Sequence, residues 1–170
     1  METSVKLRAL PFNRTETYLI ASLFVAGNII LPQLFHLIPQ GGITWLPIYF
    51  FTLIGAYKFG WKVGLLTAIA SPLANSLLFA MPAANALPAI ILKSTLLALA
   101  AGYAAHRFHG VSLILLAGVV LAYQLVGTLG EWLMSGDFGA ALQDFRIGFP
   151  GMLLQIFGGY LFIKYIIRNR

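Results

Sequence analysis

Residues 71–94 read SPLANSLLFAMPAANALPAIILKS, and the reading of this stretch decides the fold. A hydrophobic helix end carries Asn75, a turn follows through Met81, Pro82, Asn85 and Pro88, and a second hydrophobic helix takes Lys93 into its body. Proline lacks an amide donor and fixes its own backbone angle, so the turn separates two helices. A full charge inside an apolar segment costs about 2.5 to 3.5 kcal/mol on insertion scales, which makes Lys93 a candidate functional residue. We expect the turn and its two helices to form one wall of a pocket for a small molecule.

Composition extends this to the whole chain. Of 170 residues, 59% are hydrophobic and 9% charged, with a mean hydropathy of +0.86. A water-soluble domain of this size would lack the polar surface to cover itself, so an integral membrane protein is expected. At about 20 apolar residues per span, the length accommodates about six helices and no separate soluble domain. Apolar runs place them at about 15–37, 43–59, 61–79, 87–107, 111–134 and 149–167, a single all-α, compact six-helix bundle over 1–170. The chain has no Cys, which excludes disulfides and thiolate chemistry.

The formal charge of +6 is arranged by topology. With six spans both termini share a side, and that side collects Lys6, Arg8, Arg14, Lys58, Lys62, Arg107, Lys164, Arg168 and Arg170, against Lys93 and Arg146 elsewhere. The positive-inside rule then makes both termini cytoplasmic, and the basic residues need no nucleic-acid partner. Asn75, the Met81 to Pro88 turn, the Gln40 turn and the segment SGDFGAALQDFRIGFPG (135–151) fall on the outer side. That last segment is expected to form a lid-like loop or a short surface helix.

Polar residues mark the faces of these helices. On helix 1, Asn13 or Thr15 is expected as the cap and Pro32 as a kink, with Gln33 and His36 near the outer end. Ser22 and Ala26 stand four apart, as do Ala98 and Gly102 on helix 4, a spacing that lets membrane helices approach closely. Trp45 and Tyr49 open helix 2 as interfacial aromatics would. On helix 5, Gln124, Thr128 and Glu131 recur at i, i+4 and i+7 and share one face, which turns inward. Gln155 is the polar residue inside helix 6.

Lys93 lies roughly 12 Å from the outer end of its helix at 1.5 Å per residue. Asn75, Glu131, Thr128, Gln124 and Gln155 lie at compatible depths, so one outward-opening cavity would hold them all. A lysine there suits a carboxylate or phosphate on a ligand. The competing reading is a structural Lys93–Glu131 ion pair with glutamines bonding between helices. HExxH, GxSxG and Walker sequences are all missing. Asp137 and Asp144, seven apart in a loop, are too little for a metal site, and His36 with Glu131 lacks a second catalytic group. The expectation is therefore no enzyme, metal or cofactor, and a protein without its own energy source.

On these residues the chain resembles the substrate-binding S components of energy-coupling factor transporters, the vitamin-specific subunits of that ABC importer class. The resemblance covers nearly the whole length, and the segment LPIYFFTLIGAYKFGWKVGLLTAIASPLANSLLF (46–79) is similar to the family's helix 2 to helix 3 pattern. It implies capture of a water-soluble vitamin or precursor, multi-pass in the lipid of the bacterial inner membrane, with delivery through a shared transmembrane coupling subunit and its ATPase subunits. It implies docking of that coupling subunit at Ser22 and Ala26, where the family carries an alanine pair. Ligand would be held by the outer ends of helices 4 to 6 and the loops between helices 1 and 2, 3 and 4, and 5 and 6. Together with the residues at compatible depths, the candidate ligand-binding residues are Lys93, Asn75, Glu131, Gln124, Thr128, Gln155, Asn85, His36, Gln40, Trp132 and Arg146. The alternative is a membrane scaffold of the cell-shape or assembly type, whose polar residues are structural.

Overall fold

The computed structural model describes residues 3–4 and 7–166. Lys6, Arg168 and Arg170 of the charge count lie outside the described residues. The fold is all-α apart from one two-stranded pairing. Thr3–Ser4 (β1) runs antiparallel to Gly110–Val111 (β2). The helices are α1 (Thr15–Phe35), α2 (Gly41–Trp45), α3 (Phe50–Phe59), α4 (Trp61–Phe79), α5 (Leu87–Phe108), α6 (Leu113–Ser135), α7 (Phe138–Ala141), α8 (Gln143–Arg146), α9 (Phe149–Leu153) and α10 (Gly159–Leu161). A 3-10 turn, Pro47–Tyr49, leads into α3, and π-helical turns at Leu154–Gly158 and Phe162–Ile166 make the C-terminal run continuous from 149 to 166. Among the described residues, four helices, α1, α4, α5 and α6, are long and apolar enough to cross a membrane. That is the signature of a membrane protein.

Small residues set the helix spacing. Lipid offers no hydrophobic drive for helix association, so close van der Waals packing has to supply it. A Cβ on Gly64 of α4 would lie 2.3 Å from the Ala56 Cβ and 3.1 Å from the Ala98 Cβ, so α3, α4 and α5 meet there almost backbone to backbone. A Cβ on Gly102 would lie 2.5 Å from the Trp61 Cβ, as the small-residue spacing of that helix predicts. Gly64→Ala should therefore wedge three helices apart. The expected cost is about 1 to 3 kcal/mol, to be read as a lowered unfolding midpoint in detergent.

The segment expected as one helix over 43–59 is broken at Leu46. Pro47 disfavours helical backbone in the residue before it, and Leu46 takes a left-handed conformation with φ +46°. Such backbone costs a non-glycine residue about 1 to 2 kcal/mol. It is held by packing: Leu46 is buried and its side chain fills the space over Gly148 and Gly151, where a Cβ would meet it at 2.8 and 2.9 Å. The break also corrects the reading of Tyr49, which is buried rather than interfacial. Its ring packs on Tyr123 with centroids 5.6 Å apart.

The start of α1 also differs from expectation. Neither Asn13 nor Thr15 caps it; Arg14 takes the cap position without a side-chain bond, and Thr17 Oγ1 donates to the Pro11 carbonyl at 2.6 Å. The N-terminal segment is pinned along one end of the helices, with Arg8 and Leu10 amides donating to the carbonyls of Lys58 and Phe59. Arg8 pairs with Glu16 at that same end. Pro32 lies inside α1 as expected, and its missing amide leaves the Asn28 carbonyl without a helical donor. Asn75 Nδ2 from α4 replaces that donor at 2.8 Å.

Candidate functional site

Two polar groups lie toward the end of the helices opposite the N-terminal segment. The first surrounds Lys93, which is 2% exposed. Its stem enters α6 where Gly127 has no side chain: a Cβ there would sit 2.6 Å from the Lys93 Cγ. The ammonium reaches Glu131 Oε2 at 2.5 Å and Asp144 Oδ2 at 2.8 Å. Glu131 comes from the last turns of α6 and Asp144 from α8, so one lysine ties a long helix to the short-helix segment beyond it. With two carboxylates for one ammonium, the group is formally one charge negative.

The lid-like segment expected over 135–151 is built as α7 and α8. Asp137 caps α7, accepting from the Ala140 amide at 3.1 Å, and α7 packs back on α6. Trp132, expected at the site, is partly exposed and packs on Phe138 of this segment with ring centroids 5.2 Å apart. Its role here is to fasten α7. Arg146 is exposed, and Asn85 and Gln40 are exposed on their turns; these three are not brought to Lys93. Gln40 takes left-handed backbone at φ +55° ahead of α2.

Further along the inward face of α6 lie Thr128, Gln124 and Tyr123, all buried. Gln124 Nε2 donates to the Tyr123 hydroxyl at 3.0 Å, and that hydroxyl donates to Gln155 Oε1 at 2.9 Å. Gln155 sits in the first π-helical turn, a local irregularity found frequently at functional sites. Three atoms of this chain of polar groups are buried without a partner: Gln124 Oε1, Thr128 Oγ1 and Gln155 Nε2. Folded proteins pair nearly all buried polar atoms, so these three orphans, two of them on the Gln124–Tyr123–Gln155 network, stand out. Ser94 Oγ is a fourth unpaired atom, but it shares a helix face with Ala98, on the α4 side rather than that of Lys93.

The second group centres on Asn75 and is separate from the first, so the expectation of one cavity holding every polar residue is corrected. Asn75 and His36 line a cavity of about 160 Å³ whose lining does not include Lys93. The 47–49 turn stands between the two groups: Pro47 and Ile48 line the cavity, whereas Tyr49 packs on Tyr123. Behind this cavity Asn28 joins three helices. Its Nδ2 donates to Thr52 Oγ1 at 3.0 Å and to Ser71 Oγ at 3.2 Å, and its Oδ1 accepts the Phe51 amide at 3.1 Å.

A larger hollow of about 770 Å³ lies at the opposite, basic end, lined by Arg8, Lys58, Lys62, Trp61, Tyr103, His106 and His109 among others. Size alone would favour it. Its cations are already engaged, however: Arg8 with Glu16 and Lys62 over the Phe12 and Trp61 rings. Among the described residues, none of its lining side chains carries a buried unpaired polar atom. Ser22 and Ala26 lie on the exposed face of α1, beside exposed Tyr18, Leu19 and Leu23, and take no part in intramolecular packing of the kind that buries Ala21 and Phe24.

The class these features define is an all-α membrane protein with an occluded polar network beneath a short-helix segment. No protein-family model, curated protein or solved structure matches the chain.

Proposed function

We propose that the protein is the substrate-capture subunit of an energy-coupling factor type importer. It spans the bacterial inner membrane six times, α2–α3 and the 149–166 run supplying the two irregular spans, with both termini cytoplasmic. Its ligand is a water-soluble vitamin or a related micronutrient, taken from the outer side. One observation carries the reading: Gln124, Thr128 and Gln155 keep buried unpaired atoms on the same network side as a buried ammonium. The segment bearing Asp144 covers that ammonium and is joined to it by a charge pair.

The charge balance says how a ligand would enter. Lys93 already has two carboxylates, so an acidic ligand replaces Asp144 rather than joining it, and α7–α8 moves as it does. Amide and hydroxyl groups of the ligand then meet the three orphan atoms. The exposed Ser22 and Ala26 face supports docking of the shared coupling subunit, because small residues left outside a bundle let another helix approach closely. No nucleotide-binding sequence is present in the chain, in keeping with energy supplied by partner ATPase subunits.

A second reading, a membrane scaffold with structural polar residues, is favoured by the complete pairing of Lys93 by Glu131 and Asp144. Uptake separates the two. Cells expressing the protein with its energising subunits should accumulate one compound from a panel of radiolabelled vitamins and precursors. Gln155→Leu, with its folding checked by circular dichroism, should weaken binding of that compound by about tenfold, the worth of one well-made hydrogen bond to a ligand. A folded, membrane-inserted protein that accumulates and binds none of the panel refutes capture in favour of the scaffold.

A further inference from the structure

We propose that the cavity lined by Asn75 is a second binding site, taking a small uncharged ring or short-chain molecule that offers one hydrogen-bond donor and one acceptor. The inference stands apart from the Lys93 network and holds whether or not that network takes a vitamin. The cavity measures about 160 Å³, the share of a handful of liquid waters at about 30 Å³ each, which suits a single ring. Its walls are the end of α1, the start of α2, the 47–49 turn, the turn at Met81 and Pro82, and Ile90 of α5. Among the described residues, no carboxylate, lysine or arginine lines it, so a charged ligand would be desolvated without a counter-charge.

Two amides supply the polarity. Asn75 is 1% exposed, and its Nδ2 is committed twice, to the carbonyls of Asn28 at 2.8 Å and Ser71 at 3.0 Å. Those bonds fix the orientation of the amide and leave Oδ1 buried with no donor. Gln33, on the opposite side of the α1 proline, lines the same cavity with its Nε2 buried and without an acceptor. One atom accepts and the other donates, so an apolar filler would leave both unsatisfied, whereas a ligand carrying a donor and an acceptor, such as a lactam, offers a partner of the right kind to each. The His36 ring helps shape the mouth: Nδ1 bonds the Pro32 carbonyl at 2.6 Å, and the ring lies against Gly42, where a Cβ would come within 3.0 Å of Nε2. This is the usual composition of a small-molecule pocket, mostly apolar with a few placed polar atoms.

The test titrates the full-length protein in detergent with 2-pyridone, whose ring carries an adjacent donor and acceptor, and follows binding by ligand-observed NMR. Saturable binding is expected. N-methyl-2-pyridone, which lacks the donor, and the Gln33→Met variant should each weaken it by about tenfold, one hydrogen bond's worth. Ile43→Trp, at an exposed lining position, should abolish it by filling the cavity while circular dichroism stays unchanged. A Lys93→Met/Glu131→Gln/Asp144→Asn variant should bind 2-pyridone as the wild type does, even where vitamin binding is lost. The proposal is overturned if 2-pyridone does not bind saturably, if toluene binds as tightly, or if Ile43→Trp leaves binding intact.

Discussion

Lys93→Met should destabilise the protein by about 3 to 5 kcal/mol, the cost of removing one partner from a buried charge group. The lost contacts are the smaller part of this. Glu131 and Asp144 keep side-chain exposures of 24% and 16%, and without the ammonium two carboxylates face each other in a poorly hydrated site. The same logic predicts a rescue. Lys93→Met combined with Glu131→Gln and Asp144→Asn removes all three charges and should recover most of the stability, since an apolar or neutral replacement of a whole buried ion group is often neutral or better. Unfolding in detergent reads the stability, and the two readings of function part company here. A capture protein loses its ligand in the rescued variant; a scaffold keeps its activity.

Gly127→Ala should have the second largest effect, through the same lysine. The added Cβ would stand 2.6 Å from Lys93 Cγ and 3.5 Å from its Cβ and Cδ. The closest of these, Cγ, is one bond from the lysine's own Cβ and has little freedom to swing aside. To relieve the clash, α5 and α6 must separate or the ammonium must leave its carboxylates. Overpacking of this kind costs about 1 to 3 kcal/mol, and the disturbed charge group adds to it. Exchange of amide hydrogens in 137–148 should accelerate along with the loss of stability, because Asp144 no longer anchors α8. Gly118→Ala on the same helix, where nothing lies within 4 Å of the added methyl, should leave both unchanged.

Much of this arrangement was legible in the residues, for reasons that can be named. The 61–79 helix is found at its expected bounds because Gly60 and the turn through Met81 and Pro82 punctuate both ends. The face shared by Gln124, Thr128 and Glu131 follows from helical period alone. Asp144 was open to inference as well: a buried Lys93 requires carboxylates, and at the outer end of the helices the acidic residues are Glu131, Asp137 and Asp144. Asn28 carried a signal too, four residues before Pro32, at the carbonyl whose donor proline removes.

What was not legible depends on contacts distant in sequence. Leucine is a poor candidate for left-handed backbone, and Leu46 adopts it only because Gly148 and Gly151 receive its side chain. Pro47 announced a break without its direction. The π-helical turns around Gln155 leave no mark in hydrophobic periodicity. The division of the polar residues into two groups rests on which face of a three-residue turn each neighbour occupies, which depth along a helix cannot resolve.

The central claim is that the network beneath α7 and α8 holds a water-soluble nutrient. Native mass spectrometry of the intact protein, released from membranes of cells grown in rich medium, tests this directly. The account predicts a stoichiometric polar small molecule on the wild type, absent from Gln124→Leu/Gln155→Leu. A bare protein that also stays bare when each vitamin and precursor is added back, or a vitamin or precursor that binds the double variant as tightly as the wild type, would contradict it.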